Sequence, residues 1–166
     1  SRYIMYWQTT TSEALQQEQE RLKAKEQEAM ALEERTIDRI DTGQQQPESD
    51  HNFKGENTEA GVHMDRHWRH ARGWFSYELN DPKQEAKSIR ITYSSGDLGR
   101  EFNIMVNDQL LSSVKLEGNQ NSSFYDINYP LSEEVLKHSK NGKIKLTFKA
   151  APNSIAGGVF YIRLLR

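Results

Sequence analysis

From Thr36 to its C-terminus the chain repeats one pattern: short runs rich in β-branched, aromatic and aliphatic residues, each closed by Asn, Asp, Gly, Ser or Pro. Runs of this kind at residues 74–79, 88–93, 101–106, 109–116, 123–129, 143–150 and 158–164 read as strands. Asn107-Asp108 between two of them reads as a tight hairpin turn, because both residues tolerate positive φ. Asn80-Asp81-Pro82 and Ser95-Gly96-Asp97 mark further turns. Residues 130–139 read as one short helix capped by Ser132, with Asn141-Gly142 closing it ahead of the next strand. Short alternating strands joined by connections of about 4–12 residues favour an antiparallel β-sandwich. No βαβ unit repeats, so a parallel sheet is not expected. The fold class is therefore mainly β, an antiparallel sandwich over residues 36–166, preceded by one long helix.

The N-terminal part has a different composition. Residues 12–35 are dominated by Glu, Gln, Lys, Ala and Leu, all good helix formers. Thr10 with Glu13 matches a capping box. Leu15, Leu22 and Ala29 recur every seventh residue, whereas the intervening Glu18 and Lys25 are polar. So thin an apolar stripe suits a connector helix, residues 11–35, lying on a neighbouring domain better than a self-sufficient coiled coil. Ahead of it, Tyr3-Ile4-Met5-Tyr6-Trp7 is an aromatic, strand-like run with no partner nearby in sequence. Residues 1–10 are therefore expected to be the terminal strand of an upstream β-domain.

Composition narrows the function classes. The apolar share is 35% and the net charge −2, with a mean hydropathy of −0.89. Nothing at whole-chain level points to nucleic acid or to a membrane surface. No run approaches the roughly 18 apolar residues of a membrane span. The first residues do not follow a signal-peptide pattern. The chain has no cysteine, which excludes disulfides, cysteine–metal sites and a cysteine nucleophile together.

The densest chemistry lies in residues 57–74, with three of the five histidines, three arginines and two of the three tryptophans. Four readings compete. His63, His67 and His70 would share a face if the stretch were helical, as metal ligands can, but Gly61, Gly73 and the strand that follows oppose a helix. Basic residues interleaved with aromatics can hold nucleic acid, yet the patch is short and contains Glu59 and Asp65. A tryptophan face can pack on the C–H face of a sugar while Arg, His and Asp bond its hydroxyls. On that reading Trp68, Arg69, His70 and Arg72 of a loop at residues 68–72, together with Asp65, form a carbohydrate-binding site. The fourth reading is structural, with the arginines tying a long loop down and Trp74 opening the core of its strand.

No metal site, cofactor or catalytic residue is assigned. Glycoside hydrolysis needs two carboxylates across a cleft, and the spacing of Glu56, Glu59 and Asp65 places no pair. No nucleophile elbow, P-loop or dinucleotide fingerprint is present. Gly157-Gly158 reads as a backbone bend at a strand start. Asn121-Ser122-Ser123 matches a glycosylation sequon.

Several stretches together resemble a known arrangement: Gly73-Trp74-Phe75-Ser76-Tyr77-Glu78-Leu79, Gly99-Arg100-Glu101-Phe102 with Val106-Asn107-Asp108, and Ser154-Ile155-Ala156-Gly157-Gly158-Val159. Gln46-Pro47-Glu48-Ser49-Asp50-His51 and Lys54-Gly55-Glu56-Asn57 belong with them. They resemble the C-terminal β-sandwich of family 127-type glycoside hydrolases, the β-L-arabinofuranosidase-like proteins of Bacteroides. The resemblance implies a galactose-binding-like jelly roll serving as a non-catalytic accessory domain. It would brace or shape a catalytic barrel that acts on arabinose-containing plant glycans. It further implies a periplasmic or extracellular location, and the upstream catalytic and β-domains of the same enzyme as partners. In that family the nucleophile and zinc ligands include cysteines, so none of those roles carries over to this chain. The alternative is a carbohydrate-binding module using the loop at 68–72.

Overall fold

The computed structural model describes residues 2–166, with side chains from Thr11 onward, and divides after Arg35 into two units. The first is the helix α1 (Arg2–Arg35). The expected strand at residues 3–7 and the expected cap at Thr10 fall within its bounds, on residues whose side chains lie outside the described ones. The helix thus starts earlier than the capping box suggests, because extending an existing helix adds one hydrogen bond per residue and needs no new nucleus. Along its described part Leu15, Leu22 and Met30 are 57%, 48% and 65% exposed.

The second unit runs from Thr36 to Arg166. In chain order its elements are β1 (Thr36–Ile40), α2 (Gln45–Asp50), β2 (Lys54–His63), β3 (Arg66–Asn80), β4 (Ser88–Ser94), β5 (Glu101–Val106) and β6 (Gln109–Lys115). They continue with β7 (Phe124–Pro130), α3 (Glu133–Leu136), β8 (Lys143–Ala150), β9 (Ala156–Val159) and β10 (Tyr161–Leu165). One sheet has the order β1-β10-β4-β7; the other has β2-β3-β8-β5-β6, with β9 beside β3. Every strand pairing is antiparallel. The unit is thus the mainly β, antiparallel sandwich that the strand pattern predicts.

Alternation builds the core. Phe102, Ile104 and Val106 of β5 and Ile144, Leu146 and Phe148 of β8 point inward, where they meet Ile89, Ile91 and Tyr93 of β4 and Ile162 and Leu164 of β10. Phe75 and Phe148 stack with centroids 4.8 Å apart.

Three elements depart from expectation. Residues 68–72, expected as a loop, lie within β3, whose first half pairs with β2. The helix near residue 135 shrinks to α3, where Ser132 accepts the Val135 amide at 3.3 Å. The last expected strand splits at Phe160: β9 pairs with β3 in one sheet and β10 with β4 in the other, so the chain crosses the sandwich there. The Phe160 amide donates to the Thr92 carbonyl at 2.9 Å and anchors the crossing.

Candidate functional site

The segment richest in chemistry is a β-hairpin. Its turn, Met64-Asp65, takes positive φ at both residues, 50° and 63°, which matches the right-handed twist of the flanking strands. Directly opposed residues of an antiparallel pair share a face. The register therefore sets Glu59 with His70, Gly61 with Trp68 and His63 with Arg66 on one face, and Ala60 with Arg69 and Val62 with His67 on the other. Trp68 and His70 stand on the same side as His63, and their rings lie 4.5 Å apart at 33°. His67 is exposed on the opposite side, so period two dismantles the three-histidine face that a helix would have made. Among the described residues no group of three His, Asp or Glu side chains is placed to hold a metal ion.

Trp68 and His70 line a cleft of about 270 Å³. Its other walls come from far along the chain: Ser94 at the end of β4, Gly96, Asp97 and Arg100 of the β4–β5 connection, and Gly158 and Phe160 at the crossing between sheets. Arg100 fixes the far wall, donating from Nη1 to the Gly157 carbonyl at 3.0 Å and pairing through Nη2 with Asp97 at 3.3 Å. Asp97 also accepts the Gly158 amide at 3.3 Å. His63 completes an aromatic corner, edge-on to Phe124 at 6.2 Å and to Phe160 at 6.5 Å. Val62 borders the cleft, although its register position belongs to the opposite face of the hairpin, and is 58% exposed. Met64 of the hairpin tip and Leu98 of the β4–β5 connection are 60% and 64% exposed.

Beside the Asp97–Arg100 ion pair, the cleft holds the titratable group of His70. Burial depresses the His70 pKa below its ordinary value, the positive charge of Arg100 adds to that, and Glu59, 3.7 Å away, opposes it. At neutral pH His70 is therefore uncharged, with one ring nitrogen donating and the other accepting. A hydroxyl group, itself donor and acceptor, matches that pattern.

The other three expected contacts lie elsewhere. Arg69 belongs to the opposite face, where Nε and Nη2 donate to Glu48 at 3.1 and 2.7 Å and the guanidinium covers the Phe53 ring at 4.3 Å. Glu48 is 3% exposed and also accepts the Tyr77 hydroxyl at 2.6 Å. Arg69 is thus a structural residue: strand alternation turns it away from its neighbour Trp68. Asp65 in the turn and Arg72 are exposed, and neither lines the cleft. The sequence reading missed Asp97 and Arg100, since Ser95-Gly96-Asp97 signalled only a turn.

With this geometry in place, comparison with solved structures gives the fold class. The chain is similar to a family 35 carbohydrate-binding module from Clostridium thermocellum, at 11% identity over 68% of this chain and 90% of that one, TM-score 0.52. It is similar to a family 35 module from Paenibacillus barcinonensis at 10% identity, 75% and 93% coverage and TM-score 0.50. It is also similar to the ectodomain of ANX2 from Arabidopsis thaliana at 15% identity, 77% and 39% coverage and TM-score 0.51. At these identities the likeness is one of fold: a jelly-roll β-sandwich of the kind found in carbohydrate-binding modules. More particularly, residues 31–165 match the family described as a family of unknown function (DUF6805), and the chain belongs to that family. No curated protein sequence matches it.

Proposed function

We propose that this chain is a non-catalytic carbohydrate-binding module, and that the cleft between the β2–β3 hairpin and the β4–β5 connection is its glycan site. The observation that carries the reading is the convergence of Trp68 with uncharged His70 on one wall, opposite the Asp97–Arg100 pair. An aromatic face for sugar C–H groups beside a few fixed polar groups is the general composition of such a site. The family 35 modules of the same fold support it.

The finer reading is that the module is an accessory part of a glycoside hydrolase acting on arabinose-containing glycans, located in the periplasm or outside the cell. The sequence resemblance to family 127-type enzymes supports the enzyme context. The likeness to an ectodomain supports the location. The exposed Leu15, Leu22 and Met30 of α1 are on this reading the docking stripe for the upstream domains.

Calorimetric titration of the chain with arabinotriose, xylotriose and galactotriose tests the proposal. Saturable binding to at least one is expected. Absence of heat and of any change in tryptophan fluorescence with all three would overturn it.

A further inference from the structure

Gly61 lies directly opposite Trp68 in the hairpin register, and the indole rests on it. A methyl group at Gly61 would stand 2.4 Å from Cζ2 of Trp68, 2.7 Å from Cε2 and 3.1 Å from Cη2. Cβ atoms do not approach carbons that closely, so the ring occupies the volume that any other residue's side chain would need. The conformation at Gly61 is not left-handed, and its backbone therefore has no need of glycine. Only the indole requires one there. Near Gly158, by contrast, the packing is ordinary: a methyl group added there would stand 3.5 Å from the Trp68 Cβ. The outer ring thus lies over the Gly61 position of β2, and the His70 ring lies beside it at 4.5 Å.

We infer that Gly61 is a positioning residue for ligand binding: by leaving its side-chain volume empty it sets the plane of the Trp68 indole, and with it the wall of the cleft. The affinity part of this inference rests on the glycan-binding reading above, whereas the ring orientation stands apart from it. A side chain at Gly61 lifts the six-membered half of the indole off β2 and tilts it into the cleft, closing space on the side facing Asp97 and Arg100. The hairpin needs no other change, because Gly61 lies on the edge strand β2.

The test is a double-mutant cycle of Gly61→Ala with Trp68→Phe, read two ways. In the first, the Trp68 indole Nε1–H resonance is followed by NMR, assigned by its loss on Trp68→Phe. Gly61→Ala is expected to shift it while leaving the other indole resonances in place. In the second, arabinotriose affinity is measured by calorimetry. Gly61→Ala is expected to weaken it about tenfold with Trp68 present and less than twofold in the Trp68→Phe background, where the shorter ring leaves the new methyl group room. Should Gly61→Ala alone fail to fold while the double variant folds, the clash is demonstrated by rescue. An unshifted indole resonance overturns the inference, as does an equal loss of affinity in both backgrounds. If the wild-type chain binds none of the three sugars, the proposed function falls, and the resonance alone decides the role of Gly61.

Discussion

His51 holds Asp38 across the corner between α2 and β1, with Nε2 2.9 Å from one carboxylate oxygen and Nδ1 2.7 Å from the Pro47 carbonyl. Both partners accept, so the imidazolium, with both ring nitrogens donating, is the form that satisfies both contacts. The hydrogen bond to Asp38 raises the His51 pKa above 6.5, against the opposing effect of burial. Burial by itself would raise Asp38, but hydrogen bonds from His51 and from the Asn80 and Arg39 amides hold it below 3.8. The His51 contribution to stability is therefore complete below its unfolded pKa and is lost as pH rises through the folded one. That of Asp38 is complete above its unfolded pKa and is lost as pH falls through the folded one. Urea unfolding of the wild type is expected to show stability declining from pH 7 to pH 9, above the range in which His70, with its lowered pKa, acts in the opposite sense. His51→Gln should cost about 2 kcal/mol at pH 6 and flatten that decline; an unchanged pH slope would refute the pairing.

Glu48 gathers three groups in the interior. Burial would raise its pKa, but Arg69, the Tyr77 hydroxyl and the Gly43 amide hold it below the ordinary value. Removing the carboxylate strands a guanidinium and a phenol, and breaking a buried pair from one side costs about 3–5 kcal/mol. Glu48→Ala should therefore lower the melting temperature by roughly 10 °C in a chain of this size. Glu48→Gln, which keeps an acceptor for Tyr77, should lose less. Equal melting of Glu48→Ala and wild type would remove the network from the account of stability.

The strands that the sequence makes legible are those that bury one face. In β5 and β8 every second residue is apolar and interior, so the period survives into the sequence. Strand β2 gives no such signal, because its residues are mostly exposed on both faces and it exists by pairing with β3. Helix α2 is six residues with Pro47 inside it, and its one buried side chain, Glu48, is held by partners 21 and 29 residues away. The cleft was half legible for a similar reason. Residue type singled out Trp68 and His70, but density along the chain cannot say which face a residue takes, and so Arg69 was drawn in. Asp97 and Arg100 reach the site only through the approach of the β4–β5 connection to the crossing at Gly158, a long-range contact with no local sequence signal.

Phe148 tests how tightly the inner face of the larger sheet is packed, because it and both of its ring neighbours stand on adjacent strands of that sheet. It is fully buried, stacked on Phe75 and 6.3 Å from the Phe102 ring. Phe148→Ala leaves a cavity between three strands and should cost about 4 kcal/mol in urea denaturation. Secondary structure should be retained by circular dichroism below the transition. A loss under about 1 kcal/mol would mean that the surrounding rings collapse into the space.

Trp68 and Arg69 are neighbours in sequence and opposite in role, which makes them a paired test of the site. Trp68→Ala removes the aromatic wall of the cleft and should weaken sugar binding at least tenfold, about 1.4 kcal/mol. Arg69→Ala leaves Glu48 buried without its cation; it should cost about 3 kcal/mol of folding stability while sugar affinity stays within twofold below the transition. Calorimetry and thermal unfolding on the two variants separate the predictions. The opposite outcome, affinity lost with Arg69→Ala and retained with Trp68→Ala, would move the ligand to the other face of the hairpin, where His67 and Arg69 stand.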